Sequence, residues 1–295
     1  MNAGWISPQE GQRSIASFET VAPNLTGTAT PQQVVLYPAL THVWGKLKWS
    51  MQLADECVGW AFAGSVDILA CIDVLTGARA GYTQDQRTST EAIYAMSRER
   101  AGWTAADPAG SRAVFAAWVV TNQGTISRQD VMAIGHGTWG AHDYRRLYAW
   151  VNSGLPAAVV NQAAQQKIAG TAPVANFSEA CDAIANGYPV TVGSLVGLTR
   201  KRDQQGFCRA SGAELPHCMK FIGYQKGLRP GLLCMDSLIP HEGPKVPADL
   251  PDGCFWVDEG LCNQMLAEGD SFALGQFAPA APFVRRVEQL VPLLA

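Results

Sequence analysis

The chain has 295 residues, of which 47% are hydrophobic and only 16% are charged, so it is long enough and apolar enough to close a hydrophobic core and is not disordered throughout. Its 22 Lys and Arg residues nearly balance 25 Asp and Glu residues, which leaves a net charge of −3 with no basic run and disfavours nucleic-acid binding. The apolar stretches are shorter than the roughly 20 residues of a membrane span, and the first residues lack a signal peptide, so the sequence predicts no membrane span and a cytoplasmic location by default.

Residues 1–46 are rich in Pro, Gly, Ser, Thr and Gln, and their only apolar run is short, at residues 34–36. This composition predicts an extended leader or arm. Such an arm could make assembly contacts with a partner.

A helical pattern begins at Asp55 and places apolar side chains on most of its faces, from Trp60 to Ile72. A helix with so few charges is a buried one. Helical spacing also predicts helices over residues 90–98 and 112–122, and Ser178 and Gly187 are a candidate cap and stop for a third.

Beyond Gly187 the pattern changes to short segments rich in β-branched and aromatic residues, separated by Gly, Pro and Asp. The predicted strand segments are residues 188–198, 217–224, 231–238, 253–260 and 271–277. Helices first and strands later predict an α+β chain with two lobes. We assign residues 47–155 to a helical lobe and residues 156–295 to a β-rich lobe.

Eight cysteines in a chain without a signal peptide are expected to be reduced, although Cys208 with Cys218, or Cys254 with Cys262, could pair in an oxidising compartment. No Cys-x-x-Cys pair occurs, and the spacing of Cys208 and His217 lacks the tight turn of structural zinc sites. The sequence therefore predicts no metal and no cofactor.

Cys57 stands out because it falls in the first turn of the buried helix, where free backbone N–H groups and the helix dipole favour a thiolate. Taken alone, a small buried hydrophobe is the simpler interpretation of a cysteine at such a position. His217 begins a later strand, and Asp236 lies in the next one, where its carboxylate could orient the imidazole. Cysteine, histidine and an orienting carboxylate form a nucleophilic triad. His136 and His142 lie too early in the chain for the strand that carries the base and are interpreted as loop residues.

The segment Cys57-Val-Gly-Trp-Ala, preceded by Gln52 and followed by a His-x-Met-x-x-x-Gly-Tyr segment at His217, resembles the papain-like cysteine peptidases (clan CA, C1-type). The Cys-Val-Gly-Trp motif is closest to divergent forms from bacteria and tailed phages. The resemblance covers roughly residues 49–277. It implies the papain-like two-lobe fold, a protein or peptide substrate that includes cell-wall peptide, and, for a phage form, association with the virion.

The resemblance also implies residue roles. Cys57 would be the nucleophile and His217 the general base, while Asp236 would replace the usual orienting asparagine and Gln52 would supply the oxyanion-hole amide. The sequence departs from the family in having Asp236-Ser-Leu instead of Asn-Ser-Trp, and Trp256 is a candidate for the missing shielding tryptophan.

Two functions follow from these features. The first is a thiol peptidase that uses the Cys57 thiolate and His217. The alternative is a catalytically weakened or inactive papain-like module with a structural or attachment role, for instance in a phage particle. Three features favour the alternative: the acidic pair Asp55-Glu56 before Cys57, the altered Asn-Ser-Trp region and the predicted arm.

Overall fold

The computed structural model describes residues 4–8, 16–45, 47, 51–136, 142–238 and 240–275. Its α-helices are α1 (Phe18–Val21), α2 (Tyr37–Trp44), α3 (Cys57–Leu75), α4 (Thr90–Arg100), α5 (Ala113–Trp118), α6 (Arg128–Ala133), α7 (Tyr144–Ser153), α8 (Ala157–Ala163), α9 (Phe177–Ala185) and α10 (Glu259–Leu266). Its strands are β1 (Gln33–Val35), β2 (Gly170–Pro173), β3 (Val190–Leu198), β4 (Phe207–Cys208), β5 (Ala210–Gln225), β6 (Gly231–Met235), β7 (Cys254–Asp258) and β8 (Ser271–Gly275).

The strands form one sheet in the order β2-β8-β3-β5-β6-β7-β4, and β1 pairs with β5 outside this path. The pairings are antiparallel except for β4 with β7. Most helices precede this sheet in the chain, as the sequence predicts. The predicted α+β class with two lobes is confirmed: a helical lobe carries α3, and a β-rich lobe carries β5 and β6.

Helix α3 is the central element of the fold and packs against α2, α4 and β5. Nearly all of its side chains from Cys57 to Ile72 are buried, because its mostly apolar faces meet both lobes. By length and composition alone this helix could cross a membrane, but 78% of its most apolar stretch is buried inside the fold. Such burial is typical of a core helix.

Three helices are not predicted by the sequence pattern: α6 and α7, within the residues assigned to the helical lobe, and α8, which lies just inside the residues assigned to the β-rich lobe. Two of them have caps visible in the sequence: the Ser127 hydroxyl accepts the Asp130 N–H, and the Asp143 carboxylate accepts the Arg145 N–H. They also pack into a second apolar cluster of their own, around Met96 and Trp150. Short helices of six to ten residues carry too few periods for a pattern to identify them.

The described part of the predicted leader contains regular elements. Strand β1 pairs with β5 in antiparallel register, with Val34 opposite Tyr224. Helix α2, which has a proline in its first turn, packs against α3. Two N–H groups of the connecting segment, from Gly27 and Ala29, donate to the carboxylate of Asp182 in α9. The boundaries of the leader and of the two lobes stay predictions.

Near the start of the chain, Trp5 is buried between the two lobes. Its indole N–H donates to Asp270 Oδ2 at 2.7 Å, and Asp270 also accepts the backbone N–H groups of Ala113 and Val114 in α5. The ring lies over Gly193 of β3, where a Cβ atom would come within 2.1 Å of the indole nitrogen. Glycine at this position is therefore what lets the indole approach the sheet.

We expect Trp5→Phe to lower the free energy of unfolding by about 1.5–3 kcal/mol, the contribution of one hydrogen bond to a charged group. The phenyl ring keeps most of the packing but leaves Asp270 without its indole donor. Chemical denaturation measures the change. The control is Trp118→Phe, at a side chain that is 37% exposed, which should change stability by less than about 0.5 kcal/mol. Equal effects at both positions would contradict the prediction.

Candidate active site

Cys57 is the first residue of α3 and has no exposed surface. Its sulfur accepts the backbone N–H of Cys218 in β5 at 3.2 Å, a contact that joins the two lobes. Because the first N–H groups of a helix have no partner within the helix, the positive end of the α3 dipole lies at this sulfur. The thiol therefore lies at the boundary between the lobes and next to backbone donors.

His217 lies on β5, opposite Ser194 of β3, and is buried. Its Nε2 atom is 2.6 Å from Asp236 Oδ1. The other ring nitrogen, Nδ1, is buried and makes no hydrogen bond of normal geometry in the described part of the chain. Since Nε2 is taken by Asp236, Nδ1 is the nitrogen that remains for the Cys57 thiol.

The pKa of His217 is raised from 6.5 to about 10. Burial is the largest single influence and acts to lower this pKa, but the charge and hydrogen bond of Asp236 outweigh it, and the nearby Cys57 thiol raises the pKa further. At neutral pH the imidazole is therefore protonated. The geometry and the charges describe an imidazolium held between a carboxylate and a thiol.

Asp236 follows β6 directly, and its carboxylate is the most densely bonded group of the site. Besides His217, its Oδ1 accepts the Leu238 N–H at 2.9 Å, and Oδ2 lies 3.4 Å from His241 Nε2. Burial is the largest single influence on the pKa of this carboxyl and acts to raise it. The charge and hydrogen bond of His217, with further hydrogen bonds from His241 and Leu238, outweigh burial and hold the pKa well below its usual value. Asp236 is therefore ionised.

His241 is a site residue that the sequence does not point to. It contacts Asp236 with Nε2, lies 3.4 Å from the Cys208 sulfur with Nδ1, and packs its ring on Phe255 at a centroid distance of 4.0 Å. The loop that carries it is held by Arg202, whose guanidinium donates to the carbonyl oxygens of His241 and Cys254. A loop without hydrophobic periodicity offers no signal for such a contact.

Trp256 does not shield the pair of His217 and Asp236, as the sequence suggested it could. Its ring stacks on Phe207 instead, and its indole N–H donates to the Val246 carbonyl oxygen. The two neighbouring residues of β7 point to opposite faces of the sheet, which is why Phe255 and not Trp256 reaches His241.

Gln52 lies in the segment before α3 and is joined to the residue after Asp236. Its backbone N–H donates to the Ser237 carbonyl oxygen at 2.7 Å, and its side-chain oxygen accepts the Ser237 hydroxyl at 3.0 Å. Its side-chain nitrogen donates to the Ala54 carbonyl oxygen at 3.2 Å. The structure therefore brings Gln52 to the loop of Asp236, with its amide donor turned towards the segment that leads to Cys57.

Glu56, the acidic residue directly before Cys57, is fully buried and paired. Its carboxylate is 2.8 Å from His142 Nε2, and the His142 ring packs on Trp60 at a centroid distance of 5.3 Å. The pairing places a partner beside the carboxylate that is nearest in sequence to the thiol. His142 lies directly before Asp143, the cap of α7, in the loop position that the sequence predicts.

All eight cysteines are buried and none forms a disulfide. Burial raises the pKa of the other seven thiols, which are Cys71, Cys181, Cys208, Cys218, Cys234, Cys254 and Cys262. Thiols in such surroundings are unreactive. Among the described residues, no group of three or more His, Cys, Asp or Glu side chains is arranged to hold a metal ion.

Comparison with known proteins gives no matching family model and no matching curated protein. Solved structures do match. Xylellain, a cysteine protease from Xylella fastidiosa, aligns over 93% of this chain and 96% of its own with a TM-score of 0.60 and 15% identity. Digestive procathepsin L2 from Tenebrio molitor aligns over 93% of this chain and 78% of its own, with a TM-score of 0.57 and 16% identity. Procathepsin B S9 from Trypanosoma congolense aligns over 92% of each chain with a TM-score of 0.53 and 11% identity.

At these identities the likeness concerns the fold. The neighbours are cysteine proteases with the same arrangement of a helical lobe and a β-rich lobe. The chain has the two-lobe fold of the papain-like cysteine proteases.

Proposed function

We propose that this protein is a cysteine peptidase that cleaves peptide bonds of a protein or peptide substrate, cell-wall peptide included. The observation that carries the proposal is the buried set of Cys57, His217 and Asp236 at the lobe boundary, where the Asp236 carboxylate is bonded to Nε2 and leaves Nδ1 for the thiol. Placement among bacterial or tailed-phage forms rests on the Cys-Val-Gly-Trp motif alone and stays a prediction.

In the first half of the reaction, the Cys57 sulfur attacks the carbonyl carbon of the scissile bond. The protonated His217 gives its Nδ1 proton to the leaving amine as the C–N bond breaks, so a thioester of Cys57 and the free amine are formed. The raised pKa of His217 keeps this proton available at neutral pH. Asp236 fixes the ring through Nε2 and stabilises its positive charge.

The oxyanion of the tetrahedral intermediate needs two donors. The backbone N–H of Cys57 is one candidate, because it has no partner within α3. The Gln52 side-chain amide is the second, once substrate draws its N–H from the Ala54 carbonyl oxygen. Ser237 holds the oxygen of this amide and so sets its orientation.

In the second half, His217 must accept a proton from water. The Cys57 sulfur is one of the groups that raise the pKa of His217. Conversion of the thiolate to a neutral thioester removes its negative charge and lowers that pKa again. The imidazole can then serve as the base that activates water against the thioester. Hydrolysis releases the acid product and restores the Cys57 thiolate and the imidazolium.

The test is cleavage of a mixed peptide library by the purified full chain, before and after treatment with iodoacetamide at mildly acidic pH. We expect cleavage that stops as Cys57 becomes alkylated, with the site of labelling mapped by mass spectrometry. The seven other cysteines are an internal control, because they are equally buried. Cleavage that survives alkylation of Cys57, or equal slow labelling of all cysteines, would overturn the proposal.

We expect His241→Phe to lower kcat/KM by about tenfold, since a lost hydrogen bond to a charged group is worth on the order of 1.5 kcal/mol. Phenylalanine keeps the packing on Phe255 but cannot bond Asp236. The matched control is His241→Gln, which retains a side-chain donor and should recover most of the activity. Peptide hydrolysis followed over pH measures both. Equal losses in the two variants would point to packing instead of the bond to Asp236.

The second candidate is the non-catalytic module. Two observations favour it. Cys57 has no exposed surface. In addition, the backbone of Gly4 and Ile6 is hydrogen-bonded to Ser111, and Gly4 lies against Asp55, two residues before Cys57. The N-terminal residues thus occupy space beside the site. Absence of both cleavage and selective alkylation would favour this candidate.

A further inference from the structure

A pocket of about 540 Å³, counting its opening to solvent, lies next to the triad, between α3 of the helical lobe and β5 and β6 of the other lobe. Asp236 and Ser237 form one of its walls. Its polar lining is otherwise dominated by three cations, Lys220, Arg87 and Arg128. The peptidase reaction proposed above uses none of these cations.

Lys220 is on β5, three residues after His217, and is only 6% exposed. Its side chain runs over Gly64 of α3, where a Cβ atom would lie 2.6 Å from Cε and 2.8 Å from Nζ. Within the described residues, the ammonium group makes no hydrogen bond and no ion pair. Burial lowers its pKa, although Cys254 and Cys234, and to a smaller extent Asp236 and Asp67, act to raise it.

Arg128 enters the pocket from α6 and is likewise 6% exposed. The one hydrogen bond of its side chain in the described part of the chain is a long contact of 3.5 Å to the Thr90 hydroxyl, and its Nε atom has no partner. The guanidinium lies 5.4 Å from the centre of the Trp60 ring. Glu91, the nearby carboxylate, is engaged by Arg146 and by the Asp143 N–H.

The carboxylates of the pocket do not compensate these cations. The Asp236 carboxylate is hydrogen-bonded to His217. Asp67 accepts the Tyr82 hydroxyl and the Thr88 N–H, and its nearest cation is Arg87 at 4.0 Å. Lys220 therefore has no direct partner among the described residues, and the charge of Arg128 meets only the long Thr90 contact, the Trp60 ring and the nearby charge of Glu91. Buried charges in proteins are normally paired or hydrogen-bonded, because an isolated one is costly to desolvate.

We propose that this pocket binds a small oxyanion, of the carboxylate or phosphate type, between the Lys220 ammonium and the Arg128 guanidinium. The planar guanidinium fork suits two oxygen acceptors, and the ammonium supplies a point charge opposite. One cation comes from each lobe, so the bound anion bridges α6 and β5. This site is separate from the thiol and does not depend on peptidase activity.

The test is the thermal unfolding of the full chain in sodium phosphate or sodium acetate, compared with sodium chloride at the same ionic strength. A ligand that binds only the folded state raises Tm, here by about 2–4 °C at an oxyanion concentration well above Kd. Lys220→Met keeps the aliphatic stem and removes the charge, so this variant should fold and should lose the oxyanion-specific rise. Lys167→Met changes an exposed lysine and should keep it.

A second measurement uses Gly64→Ala, whose methyl group would displace the end of the Lys220 side chain. Calorimetric titration with inorganic phosphate should give at least tenfold weaker binding to this variant than to the original chain. No oxyanion-specific rise in the original chain, or the same rise in Lys220→Met, would overturn the proposal. Unchanged phosphate affinity in Gly64→Ala would also contradict it.

Discussion

Replacing Cys57 or His217 with alanine is expected to lower kcat/KM for peptide hydrolysis by a thousandfold or more, and replacing both is expected to cost no more than either change alone. The two groups act as one unit: attack by the sulfur needs the imidazolium to protonate the leaving amine, and the imidazolium has no substrate to act on without the sulfur. General acid–base and nucleophilic groups that act together give such non-additive losses.

The measurement is the initial rate of cleavage of one peptide from the library, with the three variants and the original chain compared at pH 6–7. The matched control for the histidine is His42→Ala, at an exposed position on α2, which should leave the rate within a factor of two. If the losses of the two single variants multiply in the double variant, Cys57 and His217 act independently, and the proposed reaction is wrong.

Asp236→Ala is expected to lower the free energy of unfolding by about 3–5 kcal/mol at pH 6, because it leaves a buried, protonated His217 without its carboxylate. The loss should depend on pH in a defined direction. The pKa of His217 is raised in the folded state, from 6.5 to about 10. Its stabilising contribution is therefore complete below pH 6.5 and disappears as the pH rises through about 10.

At the acidic end the sign reverses, because the pKa of Asp236 is held below its usual 3.8 in the folded state. Its contribution is present above that value and is lost as the pH falls below it. The ion pair thus stabilises the fold most between about pH 4 and 6.5. The difference in stability between the original chain and Asp236→Ala should be greatest in this window and should shrink towards pH 10.

Chemical denaturation at pH 5, 6, 8 and 10 measures this profile. Asp252→Ala, at an exposed aspartate that pairs with Lys245, should change stability by less than about 1 kcal/mol across the same range. A constant difference for Asp236→Ala at all four pH values would mean that its loss comes from packing and not from the charge of His217.

The helices and strands that carry the triad were predictable because each has a strong local pattern. The apolar face of α3 begins at Cys57, and the alternation in β5 begins near His217. Strand β5 nevertheless starts at Ala210, seven residues earlier than predicted, because its exposed first half pairs with β3. Helix α9 is capped by Asn176 instead of Ser178. Boundaries of this kind are decided by partners that the local pattern does not contain.

By itself, the sequence determined the α+β class, the order of helical and β-rich parts, and the placement of a cysteine at a helix start, a histidine on a strand and an aspartate beside the next strand. These features are encoded locally, in periodicity and in helix and strand ends. Only the tertiary structure decided that His241 is a second partner of Asp236, that Glu56 is paired by His142, and that Lys220 and Arg128 meet in one pocket. Those contacts join residues far apart in the chain through loops and opposite lobes, and burial alone turns their charges into strong interactions.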